Sequence, residues 1–359
     1  MSARVYGSRE FRIGDRAVGA GHPCYVIAEA GSNHNRDLAT ALSLIDVAAQ
    51  AGADAVKFQT YTAAGLYSRY TPDMGYLRDQ GLVRGDESVW DLIKRVEIPW
   101  EWHADLARHA AEAGITFLST PFEEAAVDLL EGIGVPAYKI ASYEVNHLPL
   151  IQRVGRTGKP LLISTGMASL GDIERALDTA VAAGARDLLI MHCAVNYPPR
   201  FENLNLRAIT TLRHAFDVPI GWSDHTMGHT ADVVAVTLGA CAVEKHYTLT
   251  RDQEGPDHHF ALEPSELREM IVAIREAEAS LGSSVKRVTD AEAEMFRLGR
   301  RSLVAAHKVD SGAVIRRDDI AVKRPGFGIP VHDIDQVVGR HAARDLAADE
   351  VLRWDDLAR

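Results

Sequence analysis

The sequence predicts an α/β fold: a (β/α)8 TIM barrel followed by a small C-terminal module rich in β-structure. From residue 24 to about 281, short apolar runs alternate with helical patterns, and eight strand–helix units in roughly 250 residues match the size of such a barrel. After residue 299 this alternation stops and the strands become shorter. A doubly wound open sheet is the rival fold, but no glycine-rich nucleotide-binding turn follows the first strand, where the sequence is AGSNHN.

The candidate strands are nearly continuous in Val, Ile, Leu and Ala, which is typical of strands buried on both faces. They cover residues 24–30, 53–60, 116–120, 137–142, 160–165, 187–193, 219–224 and 242–248. Between them, apolar residues recur at helical spacing, as in residues 38–49. Capping patterns indicate two helix starts, one from Thr120 to Glu123 and a weaker one from Ser169 to Asp172.

The chain is expected to divide into a barrel at 1–281, a polar linker at 282–299 and a small module at 300–359. The module contains a quasi-repeat, GAVIRRDDIA and DEVLRWDDLA, which predicts internal pseudo-symmetry. A domain this small buries little core, so we expect it to lean on the barrel or on a partner subunit. Residues 62–99 are too long for an ordinary loop and are expected to fold over the barrel mouth.

The composition is that of a globular protein with an acidic surface. Asp and Glu number 50 against 39 Lys and Arg, a net charge of −11, which disfavours nucleic acid and anionic membranes as partners. Cys24, Cys193 and Cys241 lie in or beside apolar runs without metal-ligand spacing, and we expect them to be reduced and partly buried. No apolar run reaches the roughly 18 residues needed to span a membrane, and no signal peptide is evident. We therefore expect a cytoplasmic protein.

Polar side chains end every candidate strand, and in a barrel the C-terminal ends of the strands form the active site. Burying a charge without a partner is costly, so charged groups inside such apolar runs predict a functional site at the barrel mouth. The polar residues at the strand ends, charged and uncharged together, are Glu29, Lys57, Gln59, Thr120, Lys139, Ser142, Ser164, His192, Asp224, His225, Glu244 and His246.

Two histidines predict a divalent metal site. His225 and His246 end the adjacent seventh and eighth strands, with Glu244 nearby, so their side chains are expected to converge. A single histidine at the barrel mouth could equally well form a hydrogen bond with a loop. Two histidines on neighbouring strands favour a metal site. Two imidazoles with open positions suit manganese, cobalt or zinc better than calcium. Asp257 and His258 are candidates for a second layer or for substrate binding.

Two lysines predict an anion pocket. Lys57 and Lys139 end the second and fourth strands, and a barrel-mouth lysine serves as a Schiff base, an anion clamp or a structural ion pair. Small hydroxyls and the helix expected to start at Thr120 favour phosphate or carboxylate over an imine. With Glu29 as a proton acceptor, the constellation is consistent with carbonyl addition by a phosphorylated nucleophile, although spacing alone does not identify the reaction.

The motifs VIAEAGSNHN, GADAVKFQT, FLSTPF, YKIAS, ISTGM, HCAVNYP, GWSDHT, EKHYT and GPDHHFALEP resemble the sialic acid (N-acetylneuraminate) synthase family, which includes legionaminic and pseudaminic acid synthases. The segments VKRPGFGI and VVGRHAARDLAADEVLRWDDL resemble that family's antifreeze-like (SAF) domain. The resemblance covers essentially the whole chain, in order.

The resemblance implies a transferase that joins C3 of phosphoenolpyruvate to the open-chain aldehyde of an N-acetylmannosamine-like sugar. Water then adds at C2, and phosphate leaves by C–O cleavage. The resemblance also implies a divalent cation, manganese foremost with magnesium or cobalt as alternatives. A domain-swapped homodimer is implied as well.

By motif, the implied metal ligands are His225 and His246. The implied phosphoenolpyruvate pocket consists of Lys57, Thr120, Lys139, Ser142, Ser164 and Ser223. Around the sugar and the proton chemistry, the implied residues are Glu29, Gln59, Tyr197, Glu244 and Asp257, with Arg324 reaching the sugar pocket of the partner subunit.

Some positions depart from the family pattern. Val195 stands where many relatives carry a polar residue, so a phosphate contact is either missing or supplied by Asn196. Trp222 replaces a common leucine, and Arg84 is the nearest candidate for an asparagine that some relatives use.

Three alternatives stay open at this point: a class I aldolase with a lysine imine, another phosphoenolpyruvate-dependent sugar-acid synthase, and a non-catalytic sugar-binding protein. The acceptor sugar itself is not fixed by the sequence.

Overall fold

The computed structural model describes residues 6–72, 75–79, 81–83 and 85–358. The chain forms two compact units, Met1–Gly282 and Ser283–Arg359. Arg84, the candidate for the family asparagine, lies outside the described residues. Among the described helices, none combines the length and the apolar character that a membrane span requires.

The first unit is built around eight parallel strands. Its strands are β1 (Glu10–Ile13), β2 (Arg16–Gly19), β3 (Tyr25–Gly31), β4 (Ala55–Thr60), β5 (Thr116–Pro121), β6 (Tyr138–Ile140), β7 (Leu161–Ser164), β8 (Leu188–Cys193), β9 (Ile220–Asp224) and β10 (Ala242–His246). The eight strands β3–β10 form one sheet in the order β5-β4-β3-β10-β9-β8-β7-β6. Its two edge strands, β5 and β6, lie next to each other, so the sheet closes and the predicted (β/α)8 barrel is confirmed.

Helices surround the barrel as an outer layer. They are α1 (Leu38–Ala51), α2 (Ala63–Leu66), α3 (Gly75–Asp79), α4 (Val89–Val96), α5 (His103–Glu112), α6 (Glu124–Ile133), α7 (Leu148–Gly155), α8 (Leu170–Ala183), α9 (Ala208–Phe216), α10 (Thr230–Thr237) and α11 (Pro264–Leu281). The cap predicted at Ser169 is present, since its hydroxyl accepts a hydrogen bond from the Asp172 backbone N–H. The long segment after β4 contains α2, α3 and α4.

The helix start predicted at Thr120 is wrong. Thr120 and Pro121 belong to β5, where they pair with Gln59 and Thr60 of β4, and α6 begins only at Glu124. The parallel ladder holds this segment extended, so a proline that suits the first turn of a helix ends a strand instead. Thr120 therefore offers no helix N-terminus to an anion.

A β-hairpin that the sequence analysis missed closes the N-terminal end of the barrel. Strands β1 and β2 pair antiparallel through a tight turn, with Gly14 at φ +56°. Phe11, Ile13 and Val18 are buried in one cluster with the inward-facing side chains of the barrel strands. The barrel interior is thereby sealed at the end away from the mouth.

Strand alternation places the polar groups at the mouth. Successive side chains of a strand point to opposite faces. In β3, Tyr25 and Ile27 point into the barrel core, so Glu29 comes next on the same inward side. In β4, Ala55 is followed on that side by Lys57. In both strands, apolar inward side chains are thus followed by a charged one at the carboxyl end.

The second unit has its own small core. Its elements are α12 (Ala293–Gly299), β11 (Ser302–Ala305), β12 (Ile320–Lys323), α13 (Ile334–Val337), β13 (His341–Ala342) and β14 (Leu357–Ala358). Strands β11 and β12 pair antiparallel, as do β13 and β14. The pseudo-symmetry expected from the quasi-repeat is present: Asp319 Oδ2 accepts from the Arg316 backbone N–H at 2.6 Å, and Asp356 Oδ2 from the Arg353 N–H at 2.8 Å.

The three cysteines are free, as expected, and buried.

Candidate active site

A buried cluster of two lysines and two glutamates lies at the barrel mouth. Lys57 Nζ is 2.6 Å from Glu29 Oε2 and 3.6 Å from Glu244 Oε1. Lys139 Nζ is 3.2 Å from the same Glu244 oxygen, and Lys57 also donates to Thr120 Oγ1 at 2.8 Å. The two ammonium groups therefore converge on one carboxylate, as expected for lysines facing each other across the mouth.

The two carboxyl groups of this cluster differ in proton affinity. Burial raises the pKa of Glu244, but Lys139 and Lys57 more than offset burial and lower this pKa to about 2. Burial raises the pKa of Glu29 to about 7, with Lys57 opposing the rise and Glu244 adding to it. Glu244 is thus a fixed anion, whereas Glu29 exchanges a proton near neutral pH.

The two lysines of the cluster also differ in proton affinity. Burial lowers the pKa of Lys139, and the attraction of Glu244 does not fully compensate. Burial acts in the same direction on Lys57, but Glu244 and Glu29 outweigh it, so the pKa of Lys57 is raised. Of the two, Lys139 is the side chain closer to losing its proton.

Small hydroxyls also lie at the carboxyl ends of the barrel strands. Ser223 Oγ donates to Glu244 Oε1 at 3.4 Å, and Ser142 Oγ accepts from the Gly166 backbone N–H at 3.0 Å. Ser164 Oγ is buried without a hydrogen-bond partner in the described structure. A Cβ at Gly166 would lie 2.2 Å from Val195 Cγ2, so this close backbone approach requires glycine. The unpaired buried hydroxyl of Ser164 is available to a ligand.

The two histidine rings come together at the rim. Their centroids are 5.3 Å apart, and both rings are buried. His225 Nδ1 lies 3.1 Å from the Ala194 carbonyl oxygen. A carbonyl only accepts, so Nδ1 carries the proton and Nε2 keeps its lone pair. His246 Nδ1 is buried without a partner in the described structure.

These rings fit a divalent cation. Burial lowers the pKa of His246, against the attraction of Asp257, which favours the neutral imidazole that binds metals. In the described part of the chain, no group of three or more His, Cys, Asp and Glu side chains is arranged to hold a metal. The protein would therefore supply two imidazoles from His225 and His246, leaving other positions to water or substrate.

A cavity of about 420 Å³ opens above the buried cluster. Its polar side includes Gln59, whose amide donates to Glu29 Oε1 at 2.7 Å, and Asp257, which accepts from Ser32 Oγ at 2.9 Å. His246 and Tyr197 also line it, and the Tyr197 ring lies 4.4 Å from that of His225. The long segment after β4 contributes Leu66, Tyr67, Leu77, Leu82, Val89, Leu92, Ile93 and Val96 to the cavity lining, so the expectation that this segment folds over the mouth is confirmed.

Glu144 is a cavity residue that the sequence analysis missed. It is buried and lines the cavity, and Oε2 has no partner in the described structure. Burial raises its pKa to about 8. The available signal was an acidic residue two positions after Ser142, just beyond the end of a barrel strand.

Lys245 is a second missed residue. It alternates with Glu244 and His246 along β10 and so points to the outer layer, where it forms a buried ion pair with Asp224 and donates to the Thr226 carbonyl at 2.6 Å. Asp224 in turn accepts from the Thr226 backbone N–H at 2.9 Å. This network fixes the backbone on both sides of His225, which makes Lys245 a positioning residue.

Several predicted residues lie outside the cluster. His192 Nε2 bonds the Leu204 carbonyl at 2.8 Å, and its ring packs on Trp222 in the outer layer. His258 Nδ1 bonds Thr248 Oγ1 at 2.7 Å in a buried position. Each ring is thus held by a hydrogen bond outside the cluster of lysines and glutamates. Asp224 forms the buried ion pair with Lys245.

Two other predicted residues are exposed. Asn196 is exposed in the turn after β8, and Arg324 is exposed after β12 in the second unit. The geometry within each unit neither assigns nor removes their predicted roles.

The fold and the site define an enzyme of the (β/α)8-barrel class, with its polar groups at the carboxyl ends of the strands. Residues 44–286 match the NeuB family, and residues 300–358 match the SAF domain. The chain belongs to the NeuB family, which confirms the resemblance found in the motifs.

Relatives of this chain include synthases of legionaminic acid, pseudaminic acid and N-acetylneuraminate 9-phosphate. The N,N'-diacetyllegionaminic acid synthase of Campylobacter jejuni is 37% identical, covering 91% of this chain and 98% of the relative. The pseudaminic acid synthase of Helicobacter pylori and the human N-acetylneuraminate-9-phosphate synthase are each 32% identical, and each comparison covers 94% of this chain, with 98% and 93% of the relatives. This chain is thus supported as a nonulosonic acid synthase.

Solved structures of similar proteins have the same fold. The Bacillus subtilis spore coat polysaccharide biosynthesis protein SpsE has a TM-score of 0.67 at 38% identity, covering 98% of this chain and 99% of that one. The N-acetylneuraminic acid synthetase of Leptospira borgpetersenii, in complex with citrate, has a TM-score of 0.70 at 32% identity, covering 80% and 95%.

Proposed function

We propose that this protein is a transferase that condenses phosphoenolpyruvate with an N-acetylmannosamine-like aldehyde sugar and releases phosphate by C–O cleavage. The observation that carries the proposal is the buried pair Lys57 and Lys139 beside the imidazoles of His225 and His246. Ammonium groups suit the phosphate and carboxylate of a three-carbon donor, and imidazole lone pairs suit a divalent cation. Synthase relatives support the same reaction class.

The donor would replace an internal counter-ion. Glu244 Oε1 lies within ion-pair distance of both lysines, so an arriving dianion competes with this carboxylate for the ammonium groups. We assign the hydroxyls of Thr120, Ser142, Ser164 and Ser223 to the donor oxygens. Ser164 Oγ, buried without a partner in the described structure, would gain a hydrogen bond.

The reaction would form a bond between C3 of the donor and the aldehyde carbon of the acceptor. Water adds at C2, and the bond from C2 to the phosphate oxygen breaks. Glu29, with its pKa raised to about 7, would accept the proton of that water. A divalent cation held by His225 and His246, with manganese expected and magnesium or cobalt as alternatives, would supply Lewis-acid polarisation of the aldehyde oxygen.

The acceptor would occupy the cavity beside the cluster. We assign Gln59, Tyr197 and Asp257 to the sugar, since all three line the cavity, and Asn196 to the phosphate position that Val195 does not fill. We further propose a domain-swapped homodimer in which Arg324 of the partner subunit completes the sugar pocket.

The test is phosphate release from phosphoenolpyruvate. Release should require both an acetamido sugar aldehyde and a divalent cation, and a chelator should abolish it until manganese is restored. His246→Ala should lose at least about 100-fold in kcat, because polarisation by a metal contributes several kcal/mol to such a transition state. His214→Ala, an exposed histidine on α9, serves as the control. Release that is indifferent to chelator or to acceptor would refute the proposal.

One observation favours a second candidate, a class I aldolase. Burial lowers the pKa of Lys139, and a neutral amine is the nucleophile that forms an imine. Borohydride added with a keto acid would then trap a covalent adduct at Lys139, with activity unaffected by chelators.

A further inference from the structure

Asp257 lines the cavity at the barrel mouth, but it lies in a turn and not in a helix or strand. The sheet therefore does not hold this side chain in place as it holds Lys57 and Glu244. Its carboxylate is fixed instead by Ser32, in the connection between β3 and α1. Ser32 donates to Asp257 Oδ2 from its hydroxyl at 2.9 Å and from its backbone N–H at 3.3 Å. A single residue thus supplies two donors to one carboxylate oxygen.

Ser32 is itself held firmly, because its loop is attached to β10. Its side chain is only 4% exposed. The next residue, Asn33, donates from its amide to the Tyr247 carbonyl oxygen at 2.8 Å, and the Tyr247 backbone N–H donates to the Glu29 carbonyl oxygen at 3.1 Å. Tyr247 directly follows His246, so the loop of Ser32 is fixed to the strand that carries a proposed metal ligand.

Gly31 allows these groups to lie close together. Its φ of +52° is in the left-handed region that favours glycine. A Cβ at this position would lie 2.9 Å from Asp257 Oδ2 and 3.1 Å from His246 Cε1. The missing side chain therefore lets the Asp257 carboxylate and the His246 ring both approach the backbone beside Ser32.

The second oxygen of Asp257 is left for a ligand. Both hydrogen bonds that Asp257 accepts in the described part of the chain go to Oδ2. Each carboxylate oxygen is a strong acceptor, and Asp257 is half-buried at the cavity. Oδ1 is therefore available to a hydroxyl or an amide N–H of a molecule in the cavity.

We propose that Ser32 is a positioning residue, which orients Asp257 so that Oδ1 meets the acceptor beside His246. This inference rests on the proposed function, in which Asp257 binds the sugar. The hydroxyl and the N–H of Ser32 both donate to Oδ2, so Ser32 acts on the acceptor through Asp257. Without that hydroxyl the carboxylate gains freedom to rotate, and misplacement of such a group by about 1 Å costs as much as about 100-fold in rate. Ser32 also lines the cavity, so direct contact with the sugar is the alternative to exclude.

The experiment measures phosphate release by Ser32→Ala in the presence of manganese. The acceptor is N-acetylmannosamine or its diacetamido counterpart, whichever the parent protein turns over. We expect KM for the acceptor to rise at least about 10-fold, while KM for phosphoenolpyruvate changes less than about 2-fold. The dissociation constant of manganese, measured without turnover from the electron paramagnetic resonance signal of the free ion, should also stay within about 2-fold, because both imidazoles remain.

The matched control is Ser169→Ala. Ser169 likewise donates from its hydroxyl and its backbone N–H to one aspartate oxygen, Asp172 Oδ2, at 2.6 and 2.8 Å. It caps α8 and does not line the cavity, so both KM values should be unchanged. If Ser32→Ala folds poorly, Ser32→Cys keeps a side chain of similar size with a weaker donor, and KM for the acceptor should again rise.

A double variant separates positioning from direct contact. In an Asp257→Ala background, Ser32→Ala should change kcat/KM for the acceptor by less than about 2-fold, because its partner is already gone. An equal loss in both backgrounds would show that Ser32 contacts the sugar itself and would overturn the inference. Where Asp257→Ala leaves no measurable release, the crystal structure of Ser32→Ala decides: a displaced Asp257 carboxylate supports positioning, and an unmoved one overturns it.

The outcomes also separate this inference from the proposed function. An unchanged KM for the acceptor in folded Ser32→Ala would overturn the positioning role and leave the condensation intact. Absence of release by the parent protein with either acceptor, in the presence of manganese, would overturn both.

Discussion

Two glutamates in the barrel mouth differ in charge near neutral pH, although both are buried beside lysines. Glu244 lies between Lys57 and Lys139 and is held as an anion. Burial raises the pKa of Glu29 to about 7, because its single lysine, Lys57, does not offset burial and the charge of Glu244 adds to the rise. Similar carboxyl groups thereby acquire different roles from their neighbours alone.

This difference predicts the pH dependence of catalysis. If ionised Glu29 is the base, kcat/KM should fall about tenfold per pH unit below about pH 7 and level off above it, because the pKa of Glu29 is raised and its basic form is lost on acidification. In Glu29→Gln the residual activity should lack this acid limb. The phosphate of the donor also titrates in weak acid, so the variant provides the decisive comparison. An acid limb that persists unchanged in the variant would assign it to another group.

Strand alternation made much of this site predictable. Lys57, Lys139, Glu244 and His246 interrupt apolar strands near their carboxyl ends, so residue type and position together identified them. Glu144 follows a strand in a short turn, where no periodicity applies, and was missed. Which lysine pairs with which glutamate was not predictable either, because these ion pairs depend on the register between strands that are distant in sequence.

Elements that depend on pairing were the least predictable. Thr120–Glu123 has a sequence typical of a helix start, but hydrogen bonding with β4 extends β5 through Pro121. Strands β1 and β2 are four residues each, too short for a clear alternation, and they are stabilised by the barrel core they cover. In both cases tertiary contacts override local preference.

The buried ion pairs of Lys245 link β10 to β9 and α10, and substitution of Lys245 tests how much they stabilise the protein. Lys245→Met leaves Asp224 as a buried anion without its cation, beside Asp232, which is also buried. Loss of one partner of a buried ion pair costs roughly 3–5 kcal/mol, and we expect the free energy of unfolding in denaturant to fall by about that amount.

The matched control is Lys308→Met in the second unit, where the pair with Asp310 is exposed and little or no change in the free energy of unfolding is expected. A Lys245→Met variant as stable as the parent would contradict the assigned role. Asp224→Asn in the same background should recover part of the loss, because it removes the unpaired charge.

For the whole molecule, the sequence indicated a barrel and a small pseudo-symmetric module, and both are present as compact units. The repeated Asp-Asp pair predicted that symmetry because each copy makes the same backbone hydrogen bond. No local sequence pattern indicates whether the small module contributes Arg324 to the active site of its own chain or to that of a partner subunit.

Subunit complementation distinguishes these arrangements. Arg324→Ala should raise KM for the sugar with little effect on KM for phosphoenolpyruvate, and His246→Ala should be inactive. If Arg324 of the partner subunit completes each site, a mixed dimer of the two variants contains one barrel with both groups. Random assortment would then restore about a quarter of parental activity, because half of the dimers are mixed and each has one complete site. If Arg324 serves its own barrel, every site in the mixture lacks one group, and mixing restores nothing above the Arg324→Ala background. Co-purification of an untagged variant with an affinity-tagged one, after the two have been mixed, would establish that mixed dimers form.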